Sequence, residues 1–254
     1  MNDGYSGYGS TAGTMDMSAD AGLRSFMLGV YNKMALGLLL SAGLAYAVGT
    51  VPVLTNLVFG TVLFEVVRWG PIVLLLGSGF IMRRPSPMGS ALLYWAIVTL
   101  IGMGLGIWVY AAESALPLQS ASGTSVTASY GTIATAFALT ASSFLGLSLW
   151  GYTTKRNMTG LGSFLFMAIW GAFALGMVNV FFMQSPVMEL IIQIAFLVLM
   201  AGLVAWQTQS LKGSYYAFKD DQRSLAVMTN MGALNLYIAF VNIFQILMSL
   251  LGRD

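Results

Sequence analysis

The sequence contains no cysteine and no histidine. The first absence excludes disulfides and thiolate metal sites. The second removes the commonest metal ligand and the commonest general base, and with them most hydrolase and zinc chemistry. Charge is scarce as well. Asp, Glu, Lys and Arg make up 8% of the 254 residues, where a soluble domain carries about 25%. A surface so poor in charge cannot face water, so its solvent is a bilayer. The net charge of +2 is too small to suggest a nucleic-acid partner. No nucleophile–base pair, phosphate loop or metal set is visible, so no cofactor is expected and an enzyme is the poorest reading.

What remains is oil: 57% of the residues are hydrophobic. Residues 1–22 are the exception. They are rich in Gly, Ser and Thr, with Asp3, Asp16 and Asp20 and no basic residue, and read as a disordered tail. They lack the basic start and apolar centre of a signal peptide. Hydrophobic windows of bilayer length follow over residues 23–254, at about 30–53, 66–82, 90–111, 130–152, 162–183, 190–209 and 225–251. The second is the least distinct, because Glu65 and Arg68 interrupt it. No segment alternates with period two, and an open sheet would leave unpaired amides in lipid, so the spans are helices. The expectation is an all-α membrane protein, a bundle of seven transmembrane helices.

Basic residues sort the loops. Arg24, Lys33, Arg83, Arg84, Lys155, Arg156, Lys212, Lys219 and Arg223 fall on one side of a seven-span chain, and Arg68 and Arg253 on the other. The positive-inside bias places the N-terminus in the cytoplasm and the C-terminus outside. Trp69, Trp108, Tyr110, Tyr130, Trp150 and Tyr152 near the span ends fit interfacial belts.

Small residues recur at contact spacing: Gly37 and Ser41, then Ala134, Ala138 and Ser142, then Ala172 and Gly176. Gly102, Gly104 and Gly106 either loosen their helix or admit a neighbour. The 17 methionines read as soft fillers of irregular gaps rather than copper ligands. Glu65 and Arg68, three apart, share a helical face and read as an ion pair at the outer mouth, or as part of an entry vestibule.

Polar groups inside the spans are neutral. Asn235 and Asn242 are seven apart with Ala239 between them; Gln193 and Gln207 are fourteen apart; Asn179 sits in the fifth span. Facing lipid would be costly, so these five amides are expected in a polar bundle interior. They either bond helix to helix or line a permeation path.

Four stretches carry a family resemblance: LSLWGYTTKRNMTGLGSFLF from Leu147, LRSFMLGVYNKMALGLLLSAGLAY from Leu23, TQSLK from Thr208 and GALNLYIAFVNIF from Gly232. Together they resemble the Bax inhibitor family of membrane proteins, in its bacterial YccA-type branch. The resemblance implies a seven-helix bundle with the last helix central, in the bacterial inner membrane. It further implies a pH-sensitive calcium leak in some members and binding to a membrane-anchored AAA protease in others. The family pattern carries an acid at each of two positions that here read Gln207 and Ala239. Two close carboxylates in low dielectric share a proton, and their titration can bias a gate. Gln does not titrate and Ala offers no ligand, so calcium binding at that pair is not expected here. A regulatory or interaction role survives the loss; a cation leak would have to do without the usual sensor.

Overall fold

The computed structural model describes residues 21–81, 86–120, 122–154, 156 and 158–253. The proposed tail lies outside them except for Ala21 and Gly22, and so do Arg83, Arg84 and Lys155. Eight helices follow in order: α1 Ala21–Thr50, α2 Pro52–Phe59, α3 Leu63–Ile81, α4 Pro87–Ser114, α5 Tyr130–Thr153, α6 Thr159–Val178, α7 Pro186–Phe218 and α8 Gln222–Leu251. A π-helical turn, Asn179–Met183, extends α6. A two-stranded hairpin, β1 Leu118–Gln119 and β2 Ser125–Val126, lies between α4 and α5.

Local chemistry sets the helix starts. The Ser86 and Ser129 side chains accept the amides of Gly89 and Thr132, and Ser185 accepts that of Met188; Pro87 and Pro186 occupy the first helical positions, where no donor is wanted. Asp221 caps α8 through the Arg223 amide, and the Ser224 hydroxyl holds its carboxyl below the usual pKa.

Six helices are long and apolar enough to cross a bilayer, and α2 with α3 forms a further pair bent by 63°. The expected second span is thus only part of a broken element. Pro52 turns the chain out of α1, and α2 ends at Gly60, whose amide bonds to Asn56 O. The first span starts at Ala21 rather than near residue 30, and the sixth runs nine residues past its expected end at Gln209.

The helix α8 is central: it packs on α1, α4, α5 and α7. Half of its most apolar stretch is buried, against a third or less for every other spanning helix. The α1–α4 pair is the most extensive. Gly37 meets Tyr94, Gly102 meets Ser41, Gly106 meets Val48, and Gly49 meets Val109, so these two helices run parallel in close approach. The glycines of α4 therefore admit a neighbour. Val67 reaches Gly104 and Leu100 reaches Gly70, so α3 runs antiparallel to α4. α6 is the most peripheral of the spanning helices and packs chiefly on α7.

Candidate functional site

Polar side chains gather at two levels of the bundle, with a layer between that is apolar apart from a few groups such as Ser41, Tyr237 and Gln207. At the N-terminal ends of α1, α4 and α8 they form a collar. The Lys33 ammonium donates to Asn230 Oδ1 and sits 6.0 Å from the centroid of the Tyr94 ring. Asn230 Nδ2 donates to Pro87 O at 3.0 Å and to Ser90 Oγ at 2.8 Å, while Tyr94 donates to Lys33 O at 2.7 Å. Beside them Tyr31 bonds Ser148, which contacts Thr208 at 3.2 Å. Lys212 is buried and donates to Tyr152 O beneath that residue's ring. Gln209 holds the α5–α6 connection from both sides, donating to Arg156 O and accepting the Met158 amide. All four stretches that carry the family resemblance meet here. Gly232 seats Leu211, and Gly151 lies against the backbone of Ala205. The resemblance is thus a packing motif that joins α1, α5, α7 and α8.

At the opposite end Glu189, in the first turn of α7, is a hub. It accepts Ser120 and Thr124 hydroxyls at 2.9 Å each and Gln193 Nε2 at 3.0 Å. Arg253 lies 3.6 Å from it, with both side chains about 15% exposed, and donates to Pro186 O and Thr124. Arg253 also bridges Val126, and Thr127 N donates to Gly252 O at 2.7 Å. The end of α8 is stapled to the hairpin and to α7. Beside the staple is a vestibule of about 410 Å³, lined by Trp108, Glu189, Gln193, Asn242, Gln245 and Ser249 among others. Replacing Arg253 by Ala is expected to loosen the hairpin: amide exchange across residues 118–126 should speed up while the collar stays protected. Unchanged exchange there would mean that the hairpin holds by itself.

The expected interior amides are not one set. Gln193 lines the vestibule and donates to Ser249 at 2.9 Å. Its Oε1 and that of Gln207 are buried without a donor, so both do turn inward. Asn242 is half-buried and bonds back to Ile238 O. Asn235 is exposed, which corrects its interior placement. The seven-residue spacing does put it on the stripe of Asn242, but that stripe is the open side of α8, and Ala239 is turned into the core at 1% exposure. Asn179 is buried at 1% exposure, and its side chain holds a turn. It donates to Ser122 Oγ and Ser185 O and accepts the Ser185 amide, where Gln184 adopts φ 47°. Glu65 and Arg68 do not pair. Both are exposed, where an ion pair gains little, and Arg68 lies over Trp69 instead, 5.4 Å from its ring. The acid that gathers partners at that end of the bundle is Glu189. The signal for it was the spacing of Glu189 and Gln193, four apart just after Pro186.

Because Gly232 faces Leu211 and Ser249 bonds Gln193, α7 and α8 are antiparallel neighbours. Gln207 is then level with Leu236, and Ala239 with Leu203 and Val204, about one helical turn (~5 Å) away along the axis. Around this level Ser41 bonds Tyr237 at 2.7 Å, and the Tyr94 and Tyr237 rings meet edge to face. Among the described residues the buried polar set is Ser, Thr, Asn and Lys212, with no carboxylate.

A sheath of exposed apolar side chains around a helical core defines a multi-pass membrane protein. The chain belongs to the Bax inhibitor family: the model for the family described as inhibitor of apoptosis-promoting Bax1 matches residues 23–254. A protein of Caulobacter vibrioides is 44% identical, covering 100% of this chain and 99% of that one. One of Rickettsia prowazekii is 33% identical over 96% and 95% of the two chains. The inner membrane protein YbhL of Escherichia coli K12 is 30% identical over 92% and 93%.

Proposed function

We propose that this chain is a regulatory, partner-binding protein of the inner membrane and not an enzyme. A membrane-anchored AAA protease is the partner class that the family resemblance suggests. The observation that carries this reading is the chemistry of the bundle interior. The described interior holds no carboxylate, and its cytoplasmic collar presents two amino groups, Lys33 and Lys212, capped by neutral oxygens. An interior of that sign repels a divalent cation and has no acid to titrate. The reading includes a topology of seven crossings, with the amino end cytoplasmic and the carboxyl end outside. Parallel α1 and α4, joined through an antiparallel α3, support it, as does the sorting of basic residues.

The second reading, a cation leak without the acid sensor, draws on the outer vestibule and its Gln193 and Asn242. In liposomes the purified protein should pass no more calcium than empty vesicles between pH 6 and 8. Flux that responds to pH in that window would overturn the proposal. Crosslinking in native membranes should recover a large membrane partner; a chain that always migrates alone would count equally against it.

A further inference from the structure

A second cavity, of about 350 Å³, lies in the outer half of the bundle among α1, α4, α5 and α8. It shares only Trp108 with the lining of the vestibule, and none of the collar residues lines it. Its walls are almost wholly carbon, from Ala45, Leu105, Ile133, Phe240 and Val241 among others. α1 and α5 touch at the collar, through Tyr31 and Ser148; at the level of the cavity Ala42 and Ala134, both exposed, form small lips on those helices. Exposed residues at this depth of a spanning bundle touch lipid, so the cavity opens sideways into the outer leaflet. Its volume is in the range of ligand clefts, about 300–1,000 Å³, at the small end, which suits one hydrocarbon chain rather than a whole lipid.

The mouth is chemically marked. Tyr46 and Tyr130 line it near the outer ends of α1 and α5, at headgroup level. The Tyr130 hydroxyl donates to Glu113 Oε2 at 2.7 Å. Glu113 is exposed and has no Lys or Arg partner among the described residues, whose ion pair is Glu189–Arg253. A fixed carboxylate beside an acyl-wide cleft, at the level of the headgroups, complements an ammonium.

We propose that this cleft holds one acyl chain of an outer-leaflet aminophospholipid, with the headgroup ammonium on Glu113 and the chain end reaching Ser41 and Phe240. An anionic headgroup would meet the same carboxylate unfavourably. The inner end of the chain would press on α8 next to Ala239, so occupancy would stiffen the α1–α8 contact of the central helix.

Native mass spectrometry of the full chain, with added phosphatidylethanolamine or phosphatidylglycerol, tests this. One phosphatidylethanolamine should be retained in preference to phosphatidylglycerol. Glu113→Gln should reduce that preference by roughly two- to fivefold, the range of an exposed ion pair, with no change in folding. Ala134→Phe, which fills the lip, should remove both lipids; Ala42→Phe does so from the other lip and serves if the first variant misfolds. Equal retention of the two lipids, an unchanged preference in Glu113→Gln, or a filled variant that still binds as wild type would each overturn the proposal. So would a photo-crosslinker at position 134 that captures a protein helix instead of lipid.

Discussion

Gly151→Ala should cost about 3 kcal/mol or more, at or beyond the top of the usual overpacking range, and should leave little monodisperse protein after mild heating in detergent. A β-carbon at residue 151 would lie 2.3 Å from Ala205 O and 2.9 Å from Ala205 Cα. Those are backbone atoms of α7, with no rotamer that relieves the overlap, so the α5–α7 crossing itself must open. That opening would also pull apart the Ser148–Thr208 contact and the bond from Lys212 to Tyr152 O. Two glycines calibrate the result. Gly146, on the same helix, has open space at its β-carbon, so Gly146→Ala should be neutral or gain up to about 1 kcal/mol of helix propensity. Gly162 meets the Trp206 ring, which can swing, so Gly162→Ala should fall between them. If Gly151→Ala and Gly146→Ala melt together, the close approach of α5 and α7 is not what holds the collar.

Where one physical signal acts alone, the chain could be read directly. The fourth span was expected at 130–152 and runs Tyr130–Thr153, because Ser129 offers a cap and an unbroken apolar run follows. The second span was not legible in this way. Its apolar run carries two charges, and its 63° bend falls between Phe59 and Leu63, where α2 ends at Gly60 and α3 packs on α4, far away in sequence. The sixth was cut short at Gln209 because polarity marks the edge of lipid. The helix continues because its polar residues have protein partners: Gln209 and Lys212 serve the α5–α6 connection.

The site divides along the same line. Periodicity ranks residues around a helix but does not say which side is inward. Gln193 and Gln207 lie on a side of α7 where their Oε1 atoms are buried, whereas on α8 Asn235 is exposed and Asn242, on the same stripe, is half-buried beside the vestibule. The Glu189 hub was invisible because Arg253, Thr124 and Glu189 come from three distant segments. Asn230 was missed for a related reason. It stands two residues before the Gly232 stretch, and its partners are on α1 and α4.

Ala239→Asp should destabilise the protein on the order of 3–5 kcal/mol at pH 7.5, the cost of a buried charge without a partner. The loss should shrink in acid. Ala239 is 1% exposed and packs within the core cluster of α8, and the described interior supplies neither a second carboxylate to share a proton nor a nearby cation at that level. Burial would therefore raise the Asp pKa in the folded state above its unfolded value of about 3.9. Below the unfolded pKa both states hold the proton, and only the modest cost of a neutral carboxyl remains. Between the two values the folded state keeps a proton that the unfolded chain has lost, so stability falls as pH rises and levels off above the folded pKa. Melting of the variant minus that of wild type, measured from pH 4.5 to 7.5, should trace this slope. If the variant is as stable as wild type at pH 7.5, position 239 is wet or partnered, and the interior is not the acid-free one that the proposed reading requires. A pH-independent loss would instead mean that shape, not charge, excludes the side chain, since protonation then gives no relief. Only the falling slope shows that the site around the buried Ala239 methyl group excludes charge itself.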